Sequence, residues 1–187
     1  MKKILLLSTG SLGVLALMLS GCTSNNVPNF QPDAMQAYQI THTVSKGIVL
    51  GDFSMPAEKD KNHLLCRLSG NVYLPNKTTY SQYIKHAFAT VLITANRYSV
   101  EKTAKTHTLS SDITSVNFDS LGGKWMISAN MRVDHYPLVS ISSSTRFGTA
   151  WNAGTACQNV AQGFETAVQD FISQTLNNPR IKRELNI

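Results

Sequence analysis

Between residues 124 and 134 the sequence alternates without a break. Trp125, Ile127, Ala129, Met131 and Val133 fall on one phase, and Lys124, Met126, Ser128, Asn130, Arg132 and Asp134 on the other. Only an extended strand places every second side chain on the same side, so this run is a half-buried strand with a Trp-bearing face that must be covered by a second layer. The alternation resumes after Asp134-His135-Tyr136-Pro137. Val139, Ile141, Ser143, Thr145 and Phe147 then alternate with Ser140, Ser142, Ser144 and Arg146. Upstream, residues 107–118 are rich in β-branched side chains, but Ile113 lies on one phase and Val116 and Phe118 on the other. A bulge near Thr114-Ser115 reconciles the two phases. Leu121-Gly122-Gly123 supplies a hairpin turn, so the three strands read as an antiparallel meander. Ile48 to Phe53 and Leu64 to Leu74 read as two earlier strands, separated by the charged stretch Glu58 to Lys61.

Two amphipathic helices supply the covering layer. Tyr80, Tyr83, Ile84, Ala87, Phe88, Val91, Leu92 and Ala95 trace one helical face over residues 79–96. Thr78, Thr79 and Ser81 are candidate caps, and Asn96 a candidate end. The same spacing recurs over 156–176 in Val160, Ala161, Phe164, Ala167, Val168, Phe171, Ile172, Thr175 and Leu176, before Asn177-Asn178-Pro179 stops it. Both stripes are expected to face the core. The order β-β-α-β-β-β-α predicts an α+β two-layer sandwich, an antiparallel sheet with two amphipathic helices on one face. The other face would carry Ser128, Asn130, Arg132, Asp134, Ser140, Ser142, Ser144 and Arg146, polar enough to meet water or a partner.

The first 21 residues do not belong to this body. Lys2 and Lys3 precede an apolar stretch from Ile4 to Leu19 that is shorter than the ~20 residues of a membrane-spanning helix. A positive start, an apolar middle and a small-residue end form the signal-peptide pattern. The end, Leu19-Ser20-Gly21-Cys22, resembles the lipobox of bacterial lipoproteins. That resemblance implies cleavage before Cys22, a diacylglyceryl thioether on its sulfur and acylation of its new amine. Thr23, rather than Asp, follows the cysteine, which by the enterobacterial rule implies export to the outer membrane with the body facing the periplasm. Thr23 to about Thr43 is polar and carries Pro28 and Pro32, so it reads as a flexible tether. The expected division is a cleaved signal peptide at 1–21, a lipidated N-terminus and tether at 22–43, and one domain at 44–187.

Composition narrows the partners. Seventeen Lys and Arg against eleven Asp and Glu give a net charge of +6, and removal of Lys2 and Lys3 leaves a modest excess. The basic cluster Arg180, Lys182 and Arg183 is interrupted by Glu184, so nucleic acid is not expected as a partner. Mean hydropathy is −0.11, which excludes a polytopic membrane protein.

Little in the sequence carries chemistry. Beyond Cys22 there are two cysteines, Cys66 and Cys157. An even count in an exported domain suggests a disulfide. Leu64, Cys66, Leu68, Val72 and Leu74 share one strand phase, and Cys157 lies on the Val160/Ala161/Phe164 side of its helix, so both thiols are expected in the helix–sheet seam. Two buried free thiols are the alternative. His42, His63, His86, His107 and His135 form no metal-ligand spacing, and no nucleophile elbow, P-loop or dinucleotide fingerprint is present. No catalytic residue, cofactor or metal is therefore assigned.

A lipobox, a short tether and an α+β body resemble several small envelope lipoproteins: the LptE-like lipopolysaccharide-assembly lipoproteins, the YajG-like lipoproteins and the auxiliary lipoproteins of ABC transporters. The helix from Tyr80 to Tyr98 sits where those families place their first helix, and Phe164 to Pro179 resembles their C-terminal one. The likeness spans about residues 46–180. Only the lipobox is residue-specific, so only Cys22 carries a role over. The resemblance implies a membrane-anchored, non-catalytic binding or accessory module for an envelope protein or lipid partner, held by its acyl chains. The alternative is a periplasm-facing hydrolase whose site is not visible in sequence.

Overall fold

The computed structural model describes residues 25–68 and 70–186. The expected signal peptide, with Cys22 and Thr23, lies outside the described residues. The elements, in order, are α1 (Ala34–Thr43), β1 (Gly47–Ser54), β2 (His63–Cys66), β3 (Gly70–Tyr73), α2 (Tyr80–Thr94), β4 (Thr106–Asp119), β5 (Lys124–Val133), β6 (Val139–Arg146), α3 (Ala153–Asn177) and α4 (Pro179–Glu184).

The α+β architecture and the three-strand meander are as expected. β4, β5 and β6 pair antiparallel, and β4 shifts register between Ile113 and Ser115, where the phases demanded a bulge. The apolar phase of each strand faces α2 and α3. Trp125 is fully buried and donates from its indole nitrogen to the Val160 carbonyl of α3 at 2.8 Å. Its ring packs at 4.6 Å, tilted by 51°, against Phe164, which also meets Tyr80 and Tyr83 of α2. Phe88 links Phe53 of β1 to Phe171 of α3. One aromatic seam therefore joins both helices to both halves of the sheet.

Three expectations are corrected. The sheet, in the order β1-β4-β5-β6, is mixed rather than antiparallel, because β1 runs parallel to β4. A parallel pair needs a long crossover, and β2, β3 and α2 provide it. Leu64 to Leu74 is not one strand but the separate β2–β3 hairpin, with Leu64 opposite Val72 and Cys66 opposite Gly70. Arg67 and Leu68 form its turn at φ 47° and 53°. That turn carries Leu68 out of the buried phase into solvent, whereas Cys66 and Val72 are buried.

The third correction concerns the tether. From Asn25 onward the segment is packed on the body. Tyr73 N donates to Asn25 O, and Val27 N donates to Tyr73 O, so the chain enters beside the hairpin. Val27, Phe30, Ala37 and Ile40 are buried. Asp33 caps α1, accepting from Gln36 N at 2.7 Å. At the other end, Arg97 donates from Nε to Val44 O and from Nη2 to Thr41 O, satisfying carbonyls that a helix end leaves open. Apolar positions spaced along a polar segment carry this docking. The prolines fall at 28 and 32, before α1, where they cost the helix nothing.

α2 begins with a capping box. Gln82 N donates to Thr79 Oγ1, and Thr79 N donates to Gln82 Oε1. Asp60, in the charged loop before β2, accepts from Ser81 N and from the Ser81 and Thr79 hydroxyls. α3 ends at Asn178, which both stops it and caps α4.

Candidate functional site

Among the described residues the helices occupy one side of the four-stranded sheet and leave the other bare. The exposed rungs of β5 and β6 carry Met126, Ser128, Asn130, Arg132, Ser140, Ser142, Ser144 and Arg146. Most of these side chains are short, and they are paired across the strands. Ser128 and Ser142 share a hydrogen bond at 3.0 Å, and Ser140 donates to Asn130 Oδ1 at 2.7 Å. Thr114 of β4 donates to the Ser128 carbonyl at 3.0 Å. The surface is a low polar plateau with Arg132 and Arg146 standing on it. β6 is the outer strand on this side. Along its length the only charge is Arg146 at the end, and it contains no proline. Edge strands are ordinarily protected by such devices; β6 presents its backbone with almost none.

Asp134 does not stand on this plateau, as the alternation had placed it. At φ 46° the chain turns at the end of β5 and brings the carboxylate to β4. His107 Nδ1 donates to Asp134 Oδ2 at 2.7 Å, and Thr108 N and Lys102 Nζ donate to Oδ1 at 3.0 and 3.1 Å. Burial disfavours the Asp134 anion, but these three hydrogen bonds and the Lys102 charge outweigh it and hold the carboxyl below the usual carboxylate range. His107 is buried, and its Nε2 has no partner among the described residues. A carboxylate on one ring nitrogen fixes the orientation of an imidazole, but the other nitrogen of His107 is itself buried. The surface clefts at Arg67 and Trp151, at Arg146 and Thr166, and at Ser54 and Thr114 are lined by other residues. The sequence showed no sign of this pair, because its members lie 27 residues apart and neither sits in a motif.

The remaining histidines do not converge. His42 packs on Tyr38, His63 hydrogen-bonds Asn62, His86 is exposed as its place outside the α2 stripe predicts, and His135 stacks on Tyr136. Among the described residues no group of three His, Cys, Asp or Glu side chains could hold a metal ion. Burial pushes the phenols of Tyr80 and Tyr83 well above their ordinary range, and Glu165 adds to this at Tyr83. Both rings serve the core; Tyr83 donates to the Pro28 carbonyl.

Cys66 and Cys157 form a disulfide with their Cα atoms 5.8 Å apart. It fastens the β2–β3 hairpin to the first turns of α3. Arg67, the next residue, fastens the same end a second time. Its guanidinium donates to Ser120 Oγ and Ser120 O in the β4–β5 turn and to Ala150 O before α3. A shallow cavity of about 350 Å³ lies beside it, lined by Leu121, Thr149, Ala150 and Trp151.

Among solved structures the fold is similar to that of protein XCC0632 from Xanthomonas campestris, described by the family model DUF330. The TM-score is 0.50 at 12% identity, covering 76% of this chain and 88% of that one. A second structure, of a protein described only as uncharacterised, has a TM-score of 0.45 at 10% identity, covering 79% and 95% of the two chains. At such identities the first likeness shows a shared fold. No family model and no curated protein matches the sequence.

Proposed function

We propose that this chain is an envelope lipoprotein, cleaved before Cys22, acylated there and held on the outer membrane facing the periplasm. Its task is that of a non-catalytic binding or accessory module for an envelope protein or lipid partner. The observation that carries the binding role is the helix-free sheet face and its unguarded β6 edge. Short hydroxyl rungs let another backbone approach closely, and an open edge offers N–H and C=O groups for strand addition. The lipobox supplies the anchor and the disulfide suits an oxidising compartment.

A photo-crosslinking residue at Ser142 or Ser144 is expected to capture a discrete envelope partner in cells, and one at Thr166, exposed on α3, is not. Ser140→Lys with Ser144→Lys, which guards the edge, is expected to abolish that adduct with little change in melting temperature. Equal capture from residue 166, or none from 142 and 144, would remove this reading.

One observation favours the second reading, a hydrolase: the His107–Asp134 pair, whose buried Nε2 has no partner among the described residues. Turnover of an ester or peptide by the purified protein, lost in His107→Gln, would establish it.

A further inference from the structure

We propose that the end of the molecule formed by the β2–β3, β4–β5 and β6–α3 connections is a membrane-contact tip that dips into the lipid surface beside the anchor. The proposal rests on the acylation of Cys22 for its natural tether, and on the geometry of the tip for everything else.

Three apolar side chains project from this one end. Leu68 is 90% exposed, Leu121 is 77% exposed, and Trp151 is entirely exposed. They come from three different connections, yet Arg67 holds those connections together by binding Ser120 and Ala150, and the Cys66–Cys157 bond sits directly behind it. The apolar points are therefore displayed on a braced scaffold. Leu68 follows Arg67 in the left-handed region, where neither residue is at ease. A leucine in such a backbone and 90% exposed is not explained by core packing.

The place where the described chain begins names the occupant. Asn25 pairs with Tyr73, and its side chain lies 3.7 Å from where a Cβ on Gly70 would stand. Gly70 is two residues from Leu68. Only Thr23 and Ser24 separate Asn25 from Cys22, a span of at most ~10 Å. A lipid on Cys22 would therefore be tethered within that reach of Asn25, beside the strand that follows the turn bearing Leu68.

Charge agrees. Asp119, Lys124 and Arg146 form one rung across β4, β5 and β6, with Lys124 opposite Arg146. Like charges directly opposed are unfavourable in a sheet, and among the described residues neither cation makes an ion pair within 4.0 Å. Asp119 is occupied with the turn: N–H groups of Gly122 and Leu121 hold its carboxyl below the usual range, helped by Lys124 and Arg67. Exposed Trp and Leu with Lys124 and Arg146 on the rung next to the β4–β5 turn match an interface of acyl chains and anionic headgroups.

The test uses the protein held through residue 22 on vesicles of phosphatidylethanolamine and phosphatidylglycerol brominated near the headgroup end of the acyl chains. Mass spectrometry first reports whether Cys22 is acylated. If it is not, the lipidation reading fails, and the Cys22 thiol is instead coupled to a maleimide lipid, so the tip is tested either way. The emission of Trp151 is the difference between the protein and its Trp151→Phe variant, since Trp125 is common to both. On the vesicles it is expected to shift to the blue and to lose most of its intensity, and Leu68→Ser with Leu121→Ser is expected to reverse much of that loss. Trp151 emission unchanged on attachment overturns the proposal. So does protection of Trp151 by envelope proteins alone, which would make the tip a protein-docking surface.

Discussion

Arg97 shows how much of this fold rests on one side chain. It sits after α2, yet its guanidinium closes the end of α1 on the carbonyls of Thr41 and Val44. Removing the donor of a charge-assisted hydrogen bond leaves part-buried acceptors open, at a cost of about 1–3 kcal/mol. Arg97→Ala is therefore expected to lower the denaturant midpoint by a corresponding amount and to loosen α1 first, seen as faster amide exchange over residues 34–44. Arg97→Lys is expected to recover little, because one ammonium cannot span both carbonyls. Asp134 gives a prediction in pH. Its folded pKa lies below the unfolded value of ~3.9, so its contribution is complete above that value and is lost as pH falls through the folded one. Asp134→Asn is expected to flatten the acid limb of the stability profile and to lower stability at neutral pH. An acid limb as steep as that of the parent would show that other carboxylates set it.

At the scale of elements, the disulfide ties a hairpin to a helix 91 residues away. Constraining a loop of this length is worth about 4–5 kcal/mol in the chain-entropy model, and less in practice. Cys66→Ser and Cys157→Ser should lower the melting temperature alike, and the double variant should be little worse, since each removes the same bond. Additive losses, or two free thiols from this pair in the unfolded, unreduced protein, would contradict it. The pairing was legible because a strand phase and a helix stripe can each be read locally, and both pointed inward. The same local reading sent Leu68 inward, because phase carries no warning of a turn made by two non-glycine residues at positive φ. Strand direction was illegible for a related reason. β4, β5 and β6 are joined by tight turns that dictate antiparallel pairing, whereas β1 reaches β4 through a hairpin and a helix, and nothing local fixes its sense. α1 was hidden because its apolar contacts, Ala37 and Ile40 with Phe30 before them, are sparse among polar residues, and its C-terminal cap is supplied from residue 97. Of the candidate sites, the polar plateau could be read from alternation alone. The His107–Asp134 pair and the braced tip are products of tertiary structure.

For the whole molecule, the packed N-terminal segment changes what an anchor would do. A flexible tether over residues 23–43 would let the body wander from the membrane. With Asn25 paired to Tyr73 and Val27 buried, only two residues lie between Cys22 and the folded body. Three acyl chains, each CH₂ contributing ~0.8 kcal/mol on burial, would hold the body against the surface essentially permanently. The core of the described residues is closed by α1, α2, α3 and α4. Cys22→Ala therefore separates attachment from folding. The variant is expected to keep the melting temperature of the parent, to incorporate no labelled palmitate, and to be recovered either uncleaved or free of the outer membrane. A variant that still takes up the label and still fractionates with that membrane would place the anchor elsewhere in the chain.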